Sequence, residues 1–285
     1  MNIGPAVLSR STPPVALTIA GSDSGGCAGI QADLKTFSAL GVFGASAITA
    51  ITAQNTQGVT AVQTLEPVIV AQQIQAVQDD FTLAACKTGM LASAEIIDAV
   101  AQQLKRSPAP LIIDPVMIST SGHRLISEEA IDAVINLLFP LALLITPNLH
   151  EASVMTGLPV PETADDMLPL AEALLTLGAK AVLLKGGHLQ QGMPATDWLV
   201  TSDYHHQFTL ARVETRNTHG TGCSLSAAIT AGLAQQFSLL ESVGRAKDWL
   251  HQALTSAASW QLGQGAGPVN HFHQWWGAHH NPLEV

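Results

Sequence analysis

The chain has 285 residues, 47% hydrophobic and 12% charged, so it can bury a large core and does not have the composition of a disordered segment. A formal net charge of -10 argues against wrapping nucleic acid, and an acidic protein that binds phosphate must do so locally, with backbone amides and a few cations. Three cysteines, Cys27, Cys86 and Cys223, are far apart and lack a C-x-x-C spacing, which excludes a disulfide framework and a zinc ribbon and fits a reduced, cytoplasmic setting.

No basic segment leads into a long apolar run at the N-terminus, so no signal peptide is expected. No stretch approaches the roughly 18 apolar residues of a membrane span. Residues 1–13 are expected to be a loose tail and 14–285 a single domain. Residues 15–20 (VALTIA) read as a short apolar strand that runs into a glycine- and serine-rich loop. A helix follows, with Ile30, Leu34, Phe37 and Leu40 at helical spacing and Gly41 ending it. The loop is neither a P-loop nor G-x-G-x-x-G, so it carries a ligand or simply packs the helix on the strand.

Residues 42–53 read as a buried strand with a kink, ending in the polar run from Gln54 to Gly58. Amides just past the carboxyl end of a buried strand are where open α/β sheets place ligands; a solvated turn is the other reading. Helices are expected at 67–81 and 94–105, with a brief strand at 84–87 between them. A strand at 111–113 delivers Asp114, whose carboxylate needs a cation or hydrogen-bond donors, and which could equally cap a helix. A helix at 128–139 and a strand at 141–145 lead to Asn148 and Glu151. These are three residues apart on one helical turn, suited to a shared metal shell or to a capping box.

A helix at 164–177, a strand at 181–184 ending at Lys185, and an antiparallel pair at 196–201 and 206–210 come next. Then Gly220-Thr221-Gly222-Cys223 opens a small, apolar helix. Glycines let backbone N–H groups converge, and a helix N-terminus adds unpaired donors and positive potential, which together make an anion site. A cysteine at that position is placed where thiolate is favoured. A last helix is expected at 239–262. The tail holds His271, His273, His279 and His280, for which a metal site is weighed against packing by Trp275 and Trp276. Strands alternating with helices predict an α/β fold with a mostly parallel sheet covered on both faces and a small antiparallel pair. The polar strand ends would then share one edge.

The segments ALTIAGSDSGGCAGIQADLKTFSALG, ITAQNTQGV, KTGML, DPVM, ITPNLHEA, VLLKGGH, NTHGTGCSLSAAI and GPVNHFHQWW occur in this order. Together they resemble the hydroxymethylpyrimidine and phosphomethylpyrimidine kinases of thiamine biosynthesis, in the ribokinase superfamily. The resemblance implies a ribokinase-like fold, ATP and Mg2+ as cofactors, and a homodimer with the small strand pair or early loops at its interface. It implies phosphorylation of 4-amino-5-hydroxymethyl-2-methylpyrimidine and then of its monophosphate. Gln54, Asp33, Met90 and Val116 match substrate-pocket positions, Val116 through its backbone. Asp114 and Glu151 match the magnesium shell, and Asn148, Thr218 and Lys185 positions near the nucleotide phosphates. Gly220, Thr221 and Gly222 match an anion hole, and Cys223 the position of the proton acceptor. Cys27 stands where glycine is usual, Gly25 where serine is common, and His123 and His150 replace a common Asp and Pro. Residues 119–124 are a candidate lid. Two rival readings are a pyridoxine or pyridoxal kinase and a nucleotide-binding regulator without catalysis.

Overall fold

The computed structural model describes residues 12–117, 126–187, 189 and 194–276. Most of the expected tail, the candidate lid, His123, His279 and His280 lie outside them. Among the described residues nine strands form one sheet in the order β3-β2-β1-β4-β5-β6-β7-β8-β9. The strands are β1 (Val15–Asp23), β2 (Phe43–Asn55), β3 (Gly58–Thr64), β4 (Leu83–Thr88), β5 (Leu111–Ile113), β6 (Leu144–Ile145), β7 (Ala181–Lys185), β8 (Ala195–Thr201) and β9 (His205–Leu210). β2, β1, β4, β5, β6 and β7 run parallel. β3 pairs antiparallel with β2, and β8 and β9 extend the sheet antiparallel beyond β7.

The described α-helices flank the sheet: α1 (Gly29–Ala39), α2 (Pro67–Asp80), α3 (Ala94–Leu104), α4 (Glu128–Ala133), α5 (Leu149–Thr156), α6 (Met167–Leu175), α7 (Thr221–Ala234) and α8 (Leu239–Ala257). One apolar layer joins the sheet to α2 through α6, with Ile74, Ile97, Leu138, Ala152 and Leu170 in its interior. The opposite face is closed by α1, α7 and α8 through Phe37, Ala227, Ile229, Val243 and Trp249. The small residues of α7 let that helix lie close on the strands, and nine of its fourteen residues are buried. Among the described residues no helix is long and apolar enough to cross a membrane.

The structure departs from expectation in five places, the first being that the last helix ends at Ala257 and not at 262. β3 was not expected: Gln54 and Asn55 finish β2, and the polar run turns directly into a hairpin partner. β2 is not buried throughout, since it lies near the sheet edge with Phe43 and Ile51 about half exposed. The antiparallel pair at β8 and β9 is a continuation of the main sheet, hydrogen-bonded to β7. The helix expected at 128–139 is regular only to Ala133; it widens into a π turn at Val134–Leu138 and tightens into a 3-10 turn at Phe139–Leu141, where Pro140 lacks the N–H a continuing helix needs.

Candidate active site

The strand order reverses between β1 and β4, which is where open parallel sheets form a ligand crevice at their carboxyl ends. A cavity of about 660 Å³ occupies that edge. Gln54, Met90, Asp114, Val116, Asn148, Glu151, Lys185, Thr218, Gly220, Thr221, Gly222 and Cys223 all line it. The expected site residues are therefore brought together from five strand ends, those of β2, β4, β5, β6 and β7, and the start of α7, with one exception.

The exception is Asp33. It is fully buried and is absent from the cavity wall. Its carboxylate accepts from Lys87 Nζ at 2.8 Å and from Thr18 Oγ1 at 2.6 Å. Burial drives its pKa up, with Lys87 pulling the other way, while the Asp33 charge helps keep Lys87 cationic. Asp33 is thus half of a buried ion pair that lies outside the cavity wall.

At the centre, Lys185 Nζ donates to Asp114 Oδ1 at 3.0 Å, and Thr146 Oγ1 donates to the same oxygen at 3.2 Å. Asp114 Oδ2 receives a longer bond from Ser226 Oγ, at 3.4 Å. Burial opposes ionisation of Asp114, but Lys185 and then Lys87 outweigh it and hold its pKa below the usual carboxylate range. Burial would likewise discharge Lys185; Asp114 and Glu151 keep it cationic. The sequence left Asp114 open between a helix cap and a cation partner, and the cation is the partner it has. For Asn148 and Glu151 the capping box forms: Asn148 N–H donates to Glu151 Oε2 at 2.8 Å, and Glu151 N–H donates to Asn148 Oδ1 at 2.9 Å. Both side chains still line the cavity.

Glu151 has its pKa pushed up to about 7, first by burial, with Lys185 lowering it and the Asp114 charge raising it. Two buried carboxylates that repel across a cavity wall suit a hard divalent cation, which favours oxygen ligands and relieves that repulsion. The residues present therefore fit a magnesium ion.

The Gly220–Cys223 turn faces this cluster. Gly220 adopts φ 81° ahead of α7 and lies against the Cys27 carbonyl with no room for a Cβ. A methyl at Gly222 would stand 3.3 Å from Lys185 Nζ and 3.7 Å from Asp114 Oδ2. Gly222 thus brings the start of α7 close to the Lys185 ammonium, and a helix N-terminus beside a cation favours an anion there. Cys223 corrects the expectation of a favoured thiolate. Burial pushes its pKa up to about 12; Lys87 lowers it, Asp33 and Asp114 raise it, and a Gly29 N–H lowers it again. Desolvation outweighs the helix end.

At the other end, Gln54 Oε1 accepts from Thr52 Oγ1 at 3.2 Å, and its Nε2 lies 3.2 Å from His219 Nε2. Met90 packs against Gly21, which has no space for a side chain toward it. The Val116 N–H is already given to the Asp114 carbonyl at 2.8 Å. Sequence reasoning missed Lys87, Asp23, His219 and a buried pair, Lys247 Nζ to Asp197 Oδ2 at 2.6 Å, in the cavity wall. Asp197 Oδ1 also accepts from Gly186 N–H at 2.9 Å, fixing the backbone just after Lys185. Of the tail histidines, His271 is buried against Ser224 Oγ at 3.0 Å with its pKa pushed down to about 3, and His273 lies beside Trp249. Both serve packing.

Comparison with known proteins shows the family and the fold. The phosphomethylpyrimidine kinase family model matches residues 23–270. A hydroxymethylpyrimidine/phosphomethylpyrimidine kinase of Rhizobium meliloti is 54% identical over 262 residues, covering 92% of this chain and 98% of that one. The crystal structure of phosphomethylpyrimidine kinase from Clostridium difficile superposes with a TM-score of 0.75 at 46% identity, over 85% of this chain and 99% of that one. Pyridoxal kinase from Staphylococcus aureus, solved with AMP-PCP and pyridoxal, superposes with a TM-score of 0.84 at 32% identity, over 92% of this chain and 94% of that one.

Proposed function

The chain belongs to the phosphomethylpyrimidine kinase family, and on that footing we propose how its own residues divide the work of transferring the γ-phosphoryl group of ATP, first to the hydroxymethyl of the aminopyrimidine and then to its monophosphate. The observation that carries the proposal is the convergence of an anion-binding helix end, a buried Lys185–Asp114 pair and an amide side chain on one cavity.

Phosphoryl transfer depends on positioning and charge stabilisation more than on covalent chemistry. The N–H groups at Gly220, Thr221 and Gly222 hold the migrating phosphoryl group. Lys185 faces it from the other side, with Asp114 and Thr146 fixing the ammonium. Asp114 and Glu151 would hold magnesium, which when bound supplies positive charge against the triphosphate. Asn148 and Thr218 flank the phosphate chain. The adenine end falls between β9 and α8, where Leu210, Leu250 and Leu254 give an apolar slot beside Lys247.

Gln54 reads the aminopyrimidine edge, since one amide supplies both a donor and an acceptor. Met90 forms the pocket wall, and Val116 offers its carbonyl. Cys223 stands where the hydroxymethyl oxygen meets the anion hole and takes its proton. Losing a buried amide partner costs about 1–3 kcal/mol. Gln54→Ala is therefore expected to raise the pyrimidine KM roughly 5- to 150-fold and to leave the KM for ATP nearly unchanged. Equal effects on both would remove Gln54 from the pyrimidine site.

We also propose a homodimer through the β2, β3 and α2 edge. Phe43, Val62, Val68 and Ile69 are all more than 40% exposed there, and exposed apolar side chains of this size are what an interface covers. Light scattering should give twice the 29.8 kDa chain mass, and Val68→Lys with Ile69→Lys should shift it toward the monomer. A monomeric parent protein would contradict the assignment.

A further inference from the structure

Beside the substrate end of the cavity, whose wall includes Asp23 and His219, lies a group of side chains with no part in the chemistry above. Asp23, Cys27 and His219 are 2%, 3% and 5% exposed. One ligand atom from each, a carboxylate oxygen, Sγ and an imidazole nitrogen, lies within 4.8 Å of the other two. We propose that these three side chains bind a zinc-class divalent cation whose fourth coordination position opens on the cavity.

The donor set fits that cation. Thiolate, imidazole and carboxylate are the ligand types zinc takes, and three protein ligands with one open position is a known arrangement for it. A hard ion such as magnesium prefers oxygen, so the site does not compete for the ion of the kinase reaction. Charge also balances: two anionic ligands and a neutral imidazole neutralise a divalent ion. Burial holds the His219 imidazole neutral, with Asp23 pulling the other way. The Gln54 amide, 3.2 Å from His219 Nε2, donates to the ring nitrogen whose lone pair a metal would take.

The ligands are held in place before any ion arrives. Asp23 Oδ1 accepts from Gly25 N–H at 2.8 Å, and Oδ2 accepts from Cys27 N–H at 3.0 Å and Ala28 N–H at 2.8 Å. These bonds fold the loop so that Cys27 turns back toward the carboxylate. The Cys27 carbonyl packs on Gly220, which pins the preceding His219 over the same loop. His219 Nε2 stands 3.9 Å from Asp23 Oδ2. Tetrahedral ligands about 2.0–2.1 Å from zinc stand about 3.3 Å apart, so the ring closes by roughly half an ångström on binding.

Two features set the conditions. Burial, then Asp23, raises the Cys27 thiol to about 11, with Lys35 lowering it. Lys35 Nζ, donating to the Gly26 carbonyl at 2.8 Å, is the nearby opposing cation. Thiolate is the form of cysteine that ligates a metal, so binding releases the thiol proton and affinity rises with pH. The bound ion also withdraws the His219 lone pair from Gln54. The ion and a pyrimidine held by Gln54 then occupy neighbouring space, so the two compete, a consequence that rests on the assignment of Gln54 to that substrate.

The test is a titration of metal-free protein with Co2+, a spectroscopic stand-in for zinc. A sulfur-to-cobalt charge-transfer band should saturate at one equivalent, and Zn2+ should abolish it. Cys223→Ala should retain the band. Cys27→Ser, with folding checked by circular dichroism, should lose it and weaken zinc binding by more than the roughly 10- to 100-fold cost of outer-shell changes. No band at one equivalent, or a band that survives Cys27→Ser, overturns the site. A Cys27-dependent band that the pyrimidine alcohol does not displace upholds the metal site and counts against Gln54 as the substrate contact.

Discussion

Cys223→Ala is expected to fold and bind ATP as the parent protein does, and to turn over about 10²- to 10⁴-fold more slowly, the usual contribution of a positioned base. The environment of the thiol sharpens this expectation. Burial pushes its pKa up to about 12, so the thiol is the favoured form. A role in taking the hydroxymethyl proton therefore requires that the sulfur lose its own proton when the substrates bind. Lys87 and the Gly29 N–H already favour the anion, and burial is what they oppose. Alkylation of Cys223 by iodoacetamide should accordingly show a pH midpoint that falls when a non-hydrolysable ATP analogue and magnesium are added. An unchanged midpoint together with near-normal turnover of Cys223→Ala would remove the cysteine from proton transfer.

Lys87→Met is expected to produce the largest loss of stability. Lys87 and Asp33 are both 0% exposed, and their ion pair spans α1 and β4. A buried pair is a weak net source of stability, but removing one partner strands the other charge and costs about 3–5 kcal/mol. Urea unfolding should show a loss of that size. Adding Asp33→Asn to Lys87→Met should recover most of it, since the stranded charge is gone and Thr18 keeps a hydrogen-bond partner. Full stability in the single variant, or no recovery in the double, would contradict the account.

The sequence made some of this site legible and hid the rest for physical reasons. Gln54, Asp114, Asn148 and Lys185 could be placed together because parallel strands put their carboxyl ends on one edge, and alternation of strand and helix announced parallel strands. The turn before α7 was readable because glycine, threonine, glycine and cysteine ahead of a small-residue helix describe a backbone that converges on an anion. β3 escaped because GVTAVQT lies at the sheet edge and is largely exposed, so no hydrophobic alternation marks it. Asp33 and Lys87 are 54 residues apart. Each was visible as a lone charge in an apolar element, Asp33 among Ile30, Leu34 and Phe37, and that was a signal that each needed a partner. Which partner each had depended on how α1 packs over β4. The same holds for Asp197 and Lys247, 50 residues apart. The thiol of Cys223 was misjudged because a motif shows the helix end but not the depth of burial, and burial proved the larger effect.

The central claim is that one cavity phosphorylates the pyrimidine alcohol and then its phosphate. Coupled ADP release measured side by side on the alcohol, on its monophosphate and on pyridoxal tests it most directly. The account predicts turnover on both pyrimidines, with kcat/KM for each exceeding that for pyridoxal. Turnover on pyridoxal alone, or on none of the three, would contradict it.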